Sequence, residues 1–171
     1  MTHTTVAAFE RVPIDSVGAN RSISHWPAYC PPEHLEEPKD HFIKRDGLEF
    51  AGTHLIVDLW GARHLDKLDL MENTFRRAIK AAGATLLHIH LHHFTPQGGI
   101  SGVAVLAESH ISVHTWPERD FAAFDVFMCG DSDSEKAVEI IKSVFKPKRA
   151  KVQAYLRGVV EYDETVCRDA L

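Results

Sequence analysis

The sequence predicts an α+β domain built as a two-layer sandwich, with a mainly antiparallel sheet that carries two helices on one face. Strand-like alternation and helix-like spacing follow one another in the order β-α-β-β-β-α-β. Each predicted helix has one apolar face and therefore needs a partner layer. The opposite face of two predicted strands carries histidines beside aromatic residues, which indicates that this face turns toward a second subunit.

The composition is that of one ordinary globular domain: 171 residues, of which 44% are hydrophobic and 25% charged. A formal net charge of −5 argues against a nucleic-acid or anionic-membrane surface, which needs a basic stripe. No apolar run approaches the roughly 20 residues of a membrane span. The first residues show no secretory signal, and three widely spaced cysteines do not make a disulfide framework. We therefore expect a cytoplasmic protein without nucleic-acid or membrane partners.

Residues 1–47 hold five of the eight prolines and the polar cluster PPEHLEEPKD. Proline removes backbone donors and interrupts regular elements, so we predict an irregular N-terminal arm ahead of a domain over residues 48–171. A disordered tail is the alternative. Trp26, Tyr29 and Phe42 are the side chains suited to attach the arm to the domain or to a partner subunit.

The folded core is expected to begin near Gly52, because apolar residues alternate with other types over residues 53–60. An amphipathic helix follows, with Asp69 as its predicted N-cap and Gly83 as its C-terminal stop. Residues 84–94 alternate again. One face of this strand is predicted to carry Thr85, Leu87, Ile89 and Leu91, and the other His88, His90, His92 and Phe94.

A strand is expected at residues 100–107, with residues 110–116 as another strand or its continuation, and a further strand at residues 121–129. Ser132 with Glu135 fits a capping box ahead of a second amphipathic helix, which Pro147 ends. A last strand alternates over residues 151–156. With His54 on the first strand, the histidine-bearing face would be covered most simply by the same face of a second copy, and this predicts a two-fold dimer.

The histidines raise the hypothesis of a metal site, and the serine raises the hypothesis of a hydrolase. His88, His90 and His92 lie at i, i+2 and i+4, and imidazole suits zinc or iron, but no fourth ligand accompanies them. We predict no metal and interpret the row as a polar face at a subunit contact. A hydrolase is the other hypothesis, yet Ser109 is not in Gly-x-Ser-x-Gly and Cys129 lacks a thiol-protease signature. A triad of Ser109, His114 and an acid cannot be shown by spacing alone.

The segment ESHISVHTWPE, from Glu108 to Glu118, closely resembles the self-cleavage segment of the prokaryotic S-adenosylmethionine decarboxylase proenzymes. The similarity runs from about Gly52 to Gly158 and includes the stretches His-His-Phe, Ser-Gly-Val and Phe-Met-Cys-Gly. This family makes its own pyruvoyl cofactor. The resemblance therefore implies a chain that cuts itself and needs neither pyridoxal phosphate nor a metal.

The resemblance also implies which residues process the chain. Ser109 would attack the carbonyl of Glu108, and the chain would separate into a β chain that ends at Glu108 and an α chain that starts with a pyruvoyl group from Ser109. Ser101 and His114 match positions that assist by hydrogen bonding and proton transfer. In a regular strand Ser109 would face away from His114. We therefore predict irregular backbone at Glu108–Ser109, since an acyl shift exploits a strained peptide.

For the reaction itself, the resemblance implies decarboxylation of S-adenosylmethionine through a Schiff base to the pyruvoyl group. The product is the aminopropyl donor for spermidine and other polyamines. Cys129 matches the thiol that returns a proton to the product carbon. Phe94 matches an aromatic that stacks on the adenine, and Glu118 matches an acid near the substrate. A homodimer of αβ units would be the assembled form.

The chain departs from the family at its long arm and after the first strand, where many members have Cys-Asp and this chain has Gly-Ala-Arg-His at residues 61–64. A cation such as Arg63 suits a substrate carboxylate better than a sulfonium. A pyruvoyl-dependent arginine or ornithine decarboxylase is therefore the alternative substrate assignment. A non-enzymatic histidine-rich binding protein is the alternative from another class.

Overall fold

The computed structural model of the protein describes residues 42–96 and 98–160. In chain order its elements are β1 Ile43–Arg45, β2 Leu48–Phe50, β3 Gly52–Trp60, α1 Leu68–Ala82, β4 Leu86–His93, β5 Ile100–Leu106, β6 His110–Trp116, a short 3-10 helix Pro117–Arg119, β7 Phe121–Met128, α2 Ser134–Phe145 and β8 Arg149–Arg157. The arm predicted over residues 1–47 lies outside the described residues as far as residue 41.

Six strands form one sheet in the order β4-β5-β6-β7-β3-β8, and every neighbouring pair is antiparallel. Helices α1 and α2 pack against each other and cover one face of this sheet. The α+β fold predicted from the sequence is confirmed. The predicted element order was one strand short, because four strands and not three lie between the helices: residues 110–116 form a strand of their own. Neither helix of the described ranges is long and apolar enough to cross a membrane.

The core lies between the helices and the sheet. Phe124 of β7 contacts Phe75 of α1 and Phe145 of α2, with ring centroids 6.4 Å and 5.8 Å apart. All three rings are buried. Burying a side chain of this size stabilises the fold by about 1.5–3 kcal/mol. The predicted apolar faces of both helices are thus the faces that meet the sheet.

The start of α1 differs from the prediction. The helix begins at Leu68, with Lys67 at the N-cap and no side-chain cap, so Asp69 as N-cap was wrong. Asp69 instead lies in the first turn, where a carboxylate interacts favourably with the helix dipole. The C-terminal prediction is confirmed, because Gly83 caps the helix with a left-handed φ of 74°.

The start of α2 also differs, since Asp133 and not Ser132 is its N-cap. Oδ1 of Asp133 accepts hydrogen bonds from the backbone N–H groups of Glu135 and Lys136, each 3.1 Å long. The backbone of Ser132 is used in the turn after β7, where its N–H donates to the carbonyl oxygen of Cys129. The capping box predicted at Ser132 was therefore wrong, by one residue.

Replacing this cap tests its contribution. Asp133→Ala is expected to lower the melting temperature by about 2–4 °C, since losing a cap costs about 1 kcal/mol in a domain of this size. Burial raises the pKa of Asp133, but its hydrogen bonds and Lys136 together hold the pKa below the ordinary value of 3.8. The stabilisation is therefore present above pH 3.8 and lost as the pH falls through the lower folded-state pKa. Thermal melts between pH 3 and 7, with Asp131→Ala as the control, measure both effects; a constant difference across this range would contradict the prediction.

Strand β4 begins with a bulge that shifts its register between Leu86 and His88. Leu86, Ile89 and Leu91 pack against the core, whereas Leu87 is 63% exposed. The prediction that Leu87 belongs to the core face was wrong, because a bulge adds a residue and breaks simple alternation.

Strands β1 and β2 form a hairpin ahead of the main sheet. Its turn, Asp46-Gly47, has positive φ at both residues, 53° and 77°. Strand β1 occupies residues that the sequence interpretation assigned to the irregular arm, so regular structure begins before the expected start near Gly52. Asp-Gly between two apolar segments is itself a hairpin signal that the prediction overlooked.

Candidate active site

The turn between β5 and β6 holds the predicted scissile bond. The backbone N–H of Leu106 donates to the carbonyl oxygen of Ser109 over 2.9 Å, which closes a two-residue turn at Ala107-Glu108. Glu108 has a φ of 62°, a left-handed conformation that costs a residue with a side chain about 1–2 kcal/mol. The irregular backbone predicted at Glu108–Ser109 is confirmed.

Ser109 follows this turn and is buried, with 7% of its surface exposed. Its Oγ accepts a hydrogen bond of 3.1 Å from the backbone N–H of Cys129, just beyond the end of β7. The antiparallel pairing of β6 with β7 brings the two residues together, because His110 lies opposite Phe127. The structure thus places Glu108, Ser109 and Cys129 in one cluster, which we call the scissile cluster.

The thiol of Cys129 is held in its protonated form. Burial raises its pKa above the ordinary value of 9.0, and the negative charge of Glu108 raises it further. A thiol with a raised pKa is a poor nucleophile at neutral pH and retains a proton that it can donate.

Ser101 and His114 form a second group. They are cross-strand partners on β5 and β6, and Oγ of Ser101 lies 2.8 Å from Nδ1 of His114. Both lie at the end of the sheet far from the Ala107-Glu108 turn. The predicted association of this serine with this histidine is present in the structure.

A cavity of about 200 Å³ opens beside this pair, and we call it the pocket. It is lined by Phe94, Gly99, Ser101, His114, Thr115, Trp116 and Glu118. Buried Thr115 fixes one wall, because its Oγ1 accepts from the N–H of Ile100 and donates to the carbonyl of Leu65. Phe94 and Glu118, both predicted for substrate binding, thus line one cavity. Trp116 lines it too, although the sequence interpretation gave it no role.

Within one chain the scissile cluster does not contact the pair of Ser101 and His114. His114 follows Ser109 by five residue steps along β6, a span of about 16 Å at the rise of an extended strand. Ser109 is buried, whereas His114 lies on the sheet face opposite the helices, which we call the open face. The turn at Glu108 does not bring His114 to Ser109, contrary to the expectation from the sequence.

The open face carries a polar network that the sequence interpretation missed. Nδ1 of His54 lies 3.0 Å from a guanidinium nitrogen of Arg157; since guanidinium only donates, Nδ1 accepts. Nε2 of His54 is 3.6 Å from a carboxylate oxygen of Asp125, whose other oxygen accepts from Ser112 over 2.8 Å. Asp125 was the available signal, because a carboxylate inside the apolar strand FAAFDVFM needs partners.

Two imidazoles of this face pack against Phe127 and against each other. The rings of His110 and His54 lie 5.4 Å and 5.8 Å from the Phe127 ring. Burial lowers the pKa of His110, and the neighbouring His54 lowers it further, so His110 is neutral at neutral pH. The residues described in the structure contain no group of three His, Cys, Asp or Glu side chains arranged to hold a metal ion.

Comparison with known proteins identifies the family. The profile of the family described as S-adenosylmethionine decarboxylase matches residues 53–158. An S-adenosylmethionine decarboxylase proenzyme from Thermomicrobium roseum is 42% identical over 114 residues, 66% of this chain and 98% of that protein. Its counterpart from Methanococcus vannielii is 45% identical over 118 residues, 67% of this chain and 96% of that protein.

A solved structure points to the same family. The adenosylmethionine decarboxylase from Aquifex aeolicus is 36% identical and superposes with a TM-score of 0.62, over 67% of this chain and 97% of that chain. These proteins match nearly end to end, while a third of this chain lies outside each match. The chain belongs to the S-adenosylmethionine decarboxylase family.

Proposed function

We propose that the chain is a self-processing, pyruvoyl-dependent decarboxylase that converts S-adenosylmethionine to the aminopropyl donor used in polyamine synthesis in the cytoplasm. The observation that carries the proposal is the scissile cluster: a buried serine follows a residue in a strained left-handed conformation, and its Oγ is held by the backbone of Cys129. A serine in an ordinary surface loop has none of these features.

Self-cleavage follows from this arrangement. Oγ of Ser109 forms a bond to the carbonyl carbon of Glu108, the peptide C–N bond breaks, and the hydroxyl proton passes to the nitrogen. Loss of the Ser109 α-proton then breaks the Cβ–Oγ bond of residue 109, so Glu108 leaves as a free carboxylate that keeps the former Oγ. The dehydroalanine left at residue 109 tautomerises to an imine. Water replaces the nitrogen of residue 109, ammonia leaves, and a pyruvoyl group remains. The left-handed Glu108 favours the first step, because cleavage relieves its strain.

The residues around position 109 fit a pyruvoyl group. The group keeps the carbon atoms of Ser109 and takes its keto oxygen from water, and the backbone N–H of Cys129 lies beside this residue before cleavage. A pyruvoyl carbonyl supplies the electron sink that decarboxylation of an α-amino acid needs. Cys129 holds a proton beside it, and because its pKa lies above 9.0 this proton is available throughout the neutral range.

The remaining groups reach this centre from a second copy of the chain. In one chain the Ser101–His114 pair and the pocket lie about 16 Å from Ser109, too far for proton transfer. The open face also exposes large apolar side chains, which indicates a contact surface. They are Ile56, Trp60, Phe94, Val105, Trp116 and Tyr155. We propose that two open faces pack together, so that each scissile cluster meets the pocket of the partner.

The pocket favours S-adenosylmethionine over arginine and ornithine. Phe94 and Trp116 offer aromatic surfaces to an adenine ring, and Glu118 offers a carboxylate to hydroxyl groups. Arg63, which raised the alternative of a basic amino acid, is not among the lining residues. Release of labelled carbon dioxide from S-adenosylmethionine, arginine and ornithine tests the assignment, and release from arginine or ornithine alone would reject it.

Phe94→Ala is expected to raise KM for S-adenosylmethionine by about tenfold or more, since stacking of a base on an aromatic side chain is worth about 1–3 kcal/mol. Self-cleavage should continue. Leu87→Ala is the matched control, because Leu87 lies on β4, the strand that Phe94 directly follows, and is 63% exposed. Steady-state kinetics of the purified variants provide the measurement, and equal KM values for the two variants would remove Phe94 from the substrate site.

Intact-mass measurement of the purified protein tests the proposal as a whole. We expect one fragment of residues 1–108 and one of residues 109–171 that begins with a pyruvoyl group. A chain that stays whole and releases no carbon dioxide would leave the histidine-rich binding protein as the better hypothesis.

A further inference from the structure

Gly52 is the first residue of β3 and lies beside Cys129. Its backbone conformation does not require a glycine. Six other glycines of the described residues have left-handed φ values, but Gly52 does not. An ordinary side chain therefore fits the local backbone of β3. Glycine inside a strand weakens it and often marks a place where other atoms approach closely. The reason for Gly52 must lie in its neighbours.

The space that a side chain at Gly52 would fill is already taken. A Cβ built there would lie 3.1 Å from Sγ of Cys129 and 3.0 Å from Cζ of Phe127. It would also lie 2.7 Å from the carbonyl oxygen of Met128. The thiol of Cys129 and the ring of Phe127 thus occupy the space directly above the backbone of Gly52. We call this feature, made of Gly52, Phe127 and Cys129, the thiol notch.

The walls of the thiol notch are held by neighbouring groups. The Phe127 ring packs against the imidazoles of His54 and His110, and the three rings form a triangle with centroids 5.4 to 6.2 Å apart. The backbone N–H of Cys129 donates to Oγ of Ser109. Cys129 therefore directs its amide toward β6 and its thiol toward β3, and a rotation about the Cα–Cβ bond is what carries the thiol toward residue 109.

We propose that Gly52 is a positioning residue for Cys129: its bare backbone lets the half-buried thiol rest in the thiol notch, next to residue 109. A methyl group at position 52 displaces the thiol from its place in the notch. The displaced thiol is more exposed and is no longer placed to deliver its proton. The inference has two parts. The geometric part, that Gly52 sets the place of the thiol, stands on the contacts alone. The functional part, that this place matters for turnover, rests on the proposed role of Cys129 as proton donor.

The geometric part is tested on a chain that cannot cleave, Ser109→Ala, by following alkylation of Cys129 with iodoacetamide and peptide mapping. Adding Gly52→Ala is expected to raise the alkylation rate at pH 7.5 by about threefold to tenfold, because an exposed thiol forms more thiolate. Adding Gly102→Ala instead is the matched control. Gly102 is also a strand glycine without left-handed φ, and its Cβ would meet the Leu91 side chain and the backbone carbonyl of His90, but no thiol. Each variant is measured equally far below its own melting temperature. Equal rates for both variants would overturn the inference.

A double-mutant cycle covers the possibility that Gly52→Ala does not fold. The drop in melting temperature caused by Gly52→Ala is expected to be smaller when Cys129 is alanine, since the clash with the sulfur is then gone. Folding only in the Cys129→Ala background is the extreme form of this result. An equal drop, or failure to fold in both backgrounds, would assign the constraint to the Met128 carbonyl and overturn the inference.

The functional part is tested separately in a chain with Ser109 intact. Gly52→Ala is expected to lower kcat by about tenfold or more while KM changes less than twofold, because proton donation follows substrate binding. An unchanged kcat beside faster alkylation would overturn the positioning role. Failure of the wild-type chain to cleave would count against the proposed function and leave the alkylation result standing.

Discussion

A chain carrying Ser109→Ala is expected to remain a single 171-residue polypeptide and to release no carbon dioxide from S-adenosylmethionine. Alanine has no oxygen to attack the carbonyl of Glu108, so neither the ester nor the pyruvoyl group can form. Without an electron sink the carbanion left by decarboxylation has nothing to stabilise it. Activity should fall to the uncatalysed level, a loss of at least about 10⁶-fold. Intact mass and labelled carbon dioxide release measure the two effects.

The substitution is mild for the fold, which makes the result interpretable. Removing one buried hydroxyl leaves the Cys129 N–H without its acceptor, at a cost of about 1–3 kcal/mol. Circular dichroism should therefore show an unchanged fold. Ser143→Ala is the matched control, since Ser143 is an exposed serine on α2 whose hydroxyl donates to the carbonyl oxygen of Ile140. A Ser109→Ala chain that still separates into two fragments would refute the assignment of the scissile bond.

Much of the fold could be predicted because its signals are local. Alternation identified the core residues of β3, and the spacing from Met71 to Ala82 identified the buried side of α1. The errors occur where a neighbour in space decides. Ser132 looked like a cap, but its backbone is engaged with Cys129 at the end of β7. Leu87 looked like a core residue, but the bulge of β4 against β5 turns it outward.

The site was predicted only in part, for the same reason. The resemblance supplied the identities of Ser109 and Cys129, and strand pairing brings them together as expected. Their distance from His114 could not be read from the sequence, since it depends on how far β6 extends beyond the turn. The contact of His54 with Arg157 joins residues 103 positions apart and leaves no local pattern. Gly52 gave no signal either, because a close approach is visible only once β3 and β7 are paired.

Two inactive variants are expected to restore each other when they are expressed in the same cell. A Ser109→Ala chain keeps His114 and the pocket, and a His114→Ala chain keeps Ser109 and Cys129. Each variant alone should stay whole. In a mixed dimer, one of the two sites combines the intact Ser109 of one copy with the intact His114 of the other. Random pairing makes about half of the dimers mixed, so up to about half of the His114→Ala chains should be cleaved.

The matched control replaces the Ser109→Ala partner with the double variant Ser109→Ala, His114→Ala. No copy then supplies His114, and cleavage of the other chain should disappear although the dimers still form. Affinity tags of different mass on the two chains identify which one is cut. The prediction is specific, because the Ser109→Ala chain must stay whole in every mixture.

The outcome decides between two geometries. If His114 acted on Ser109 of its own chain, the β5–β6 hairpin would have to rearrange across about 16 Å and break its pairing with β7, and no mixture would then be cut. Cleavage restricted to the His114→Ala chain would instead show that the hairpin stays as it is and that the missing group arrives from the partner. In that case the exposed aromatic side chains of the open face, which a lone chain leaves in water, have their explanation in the same contact that completes the site.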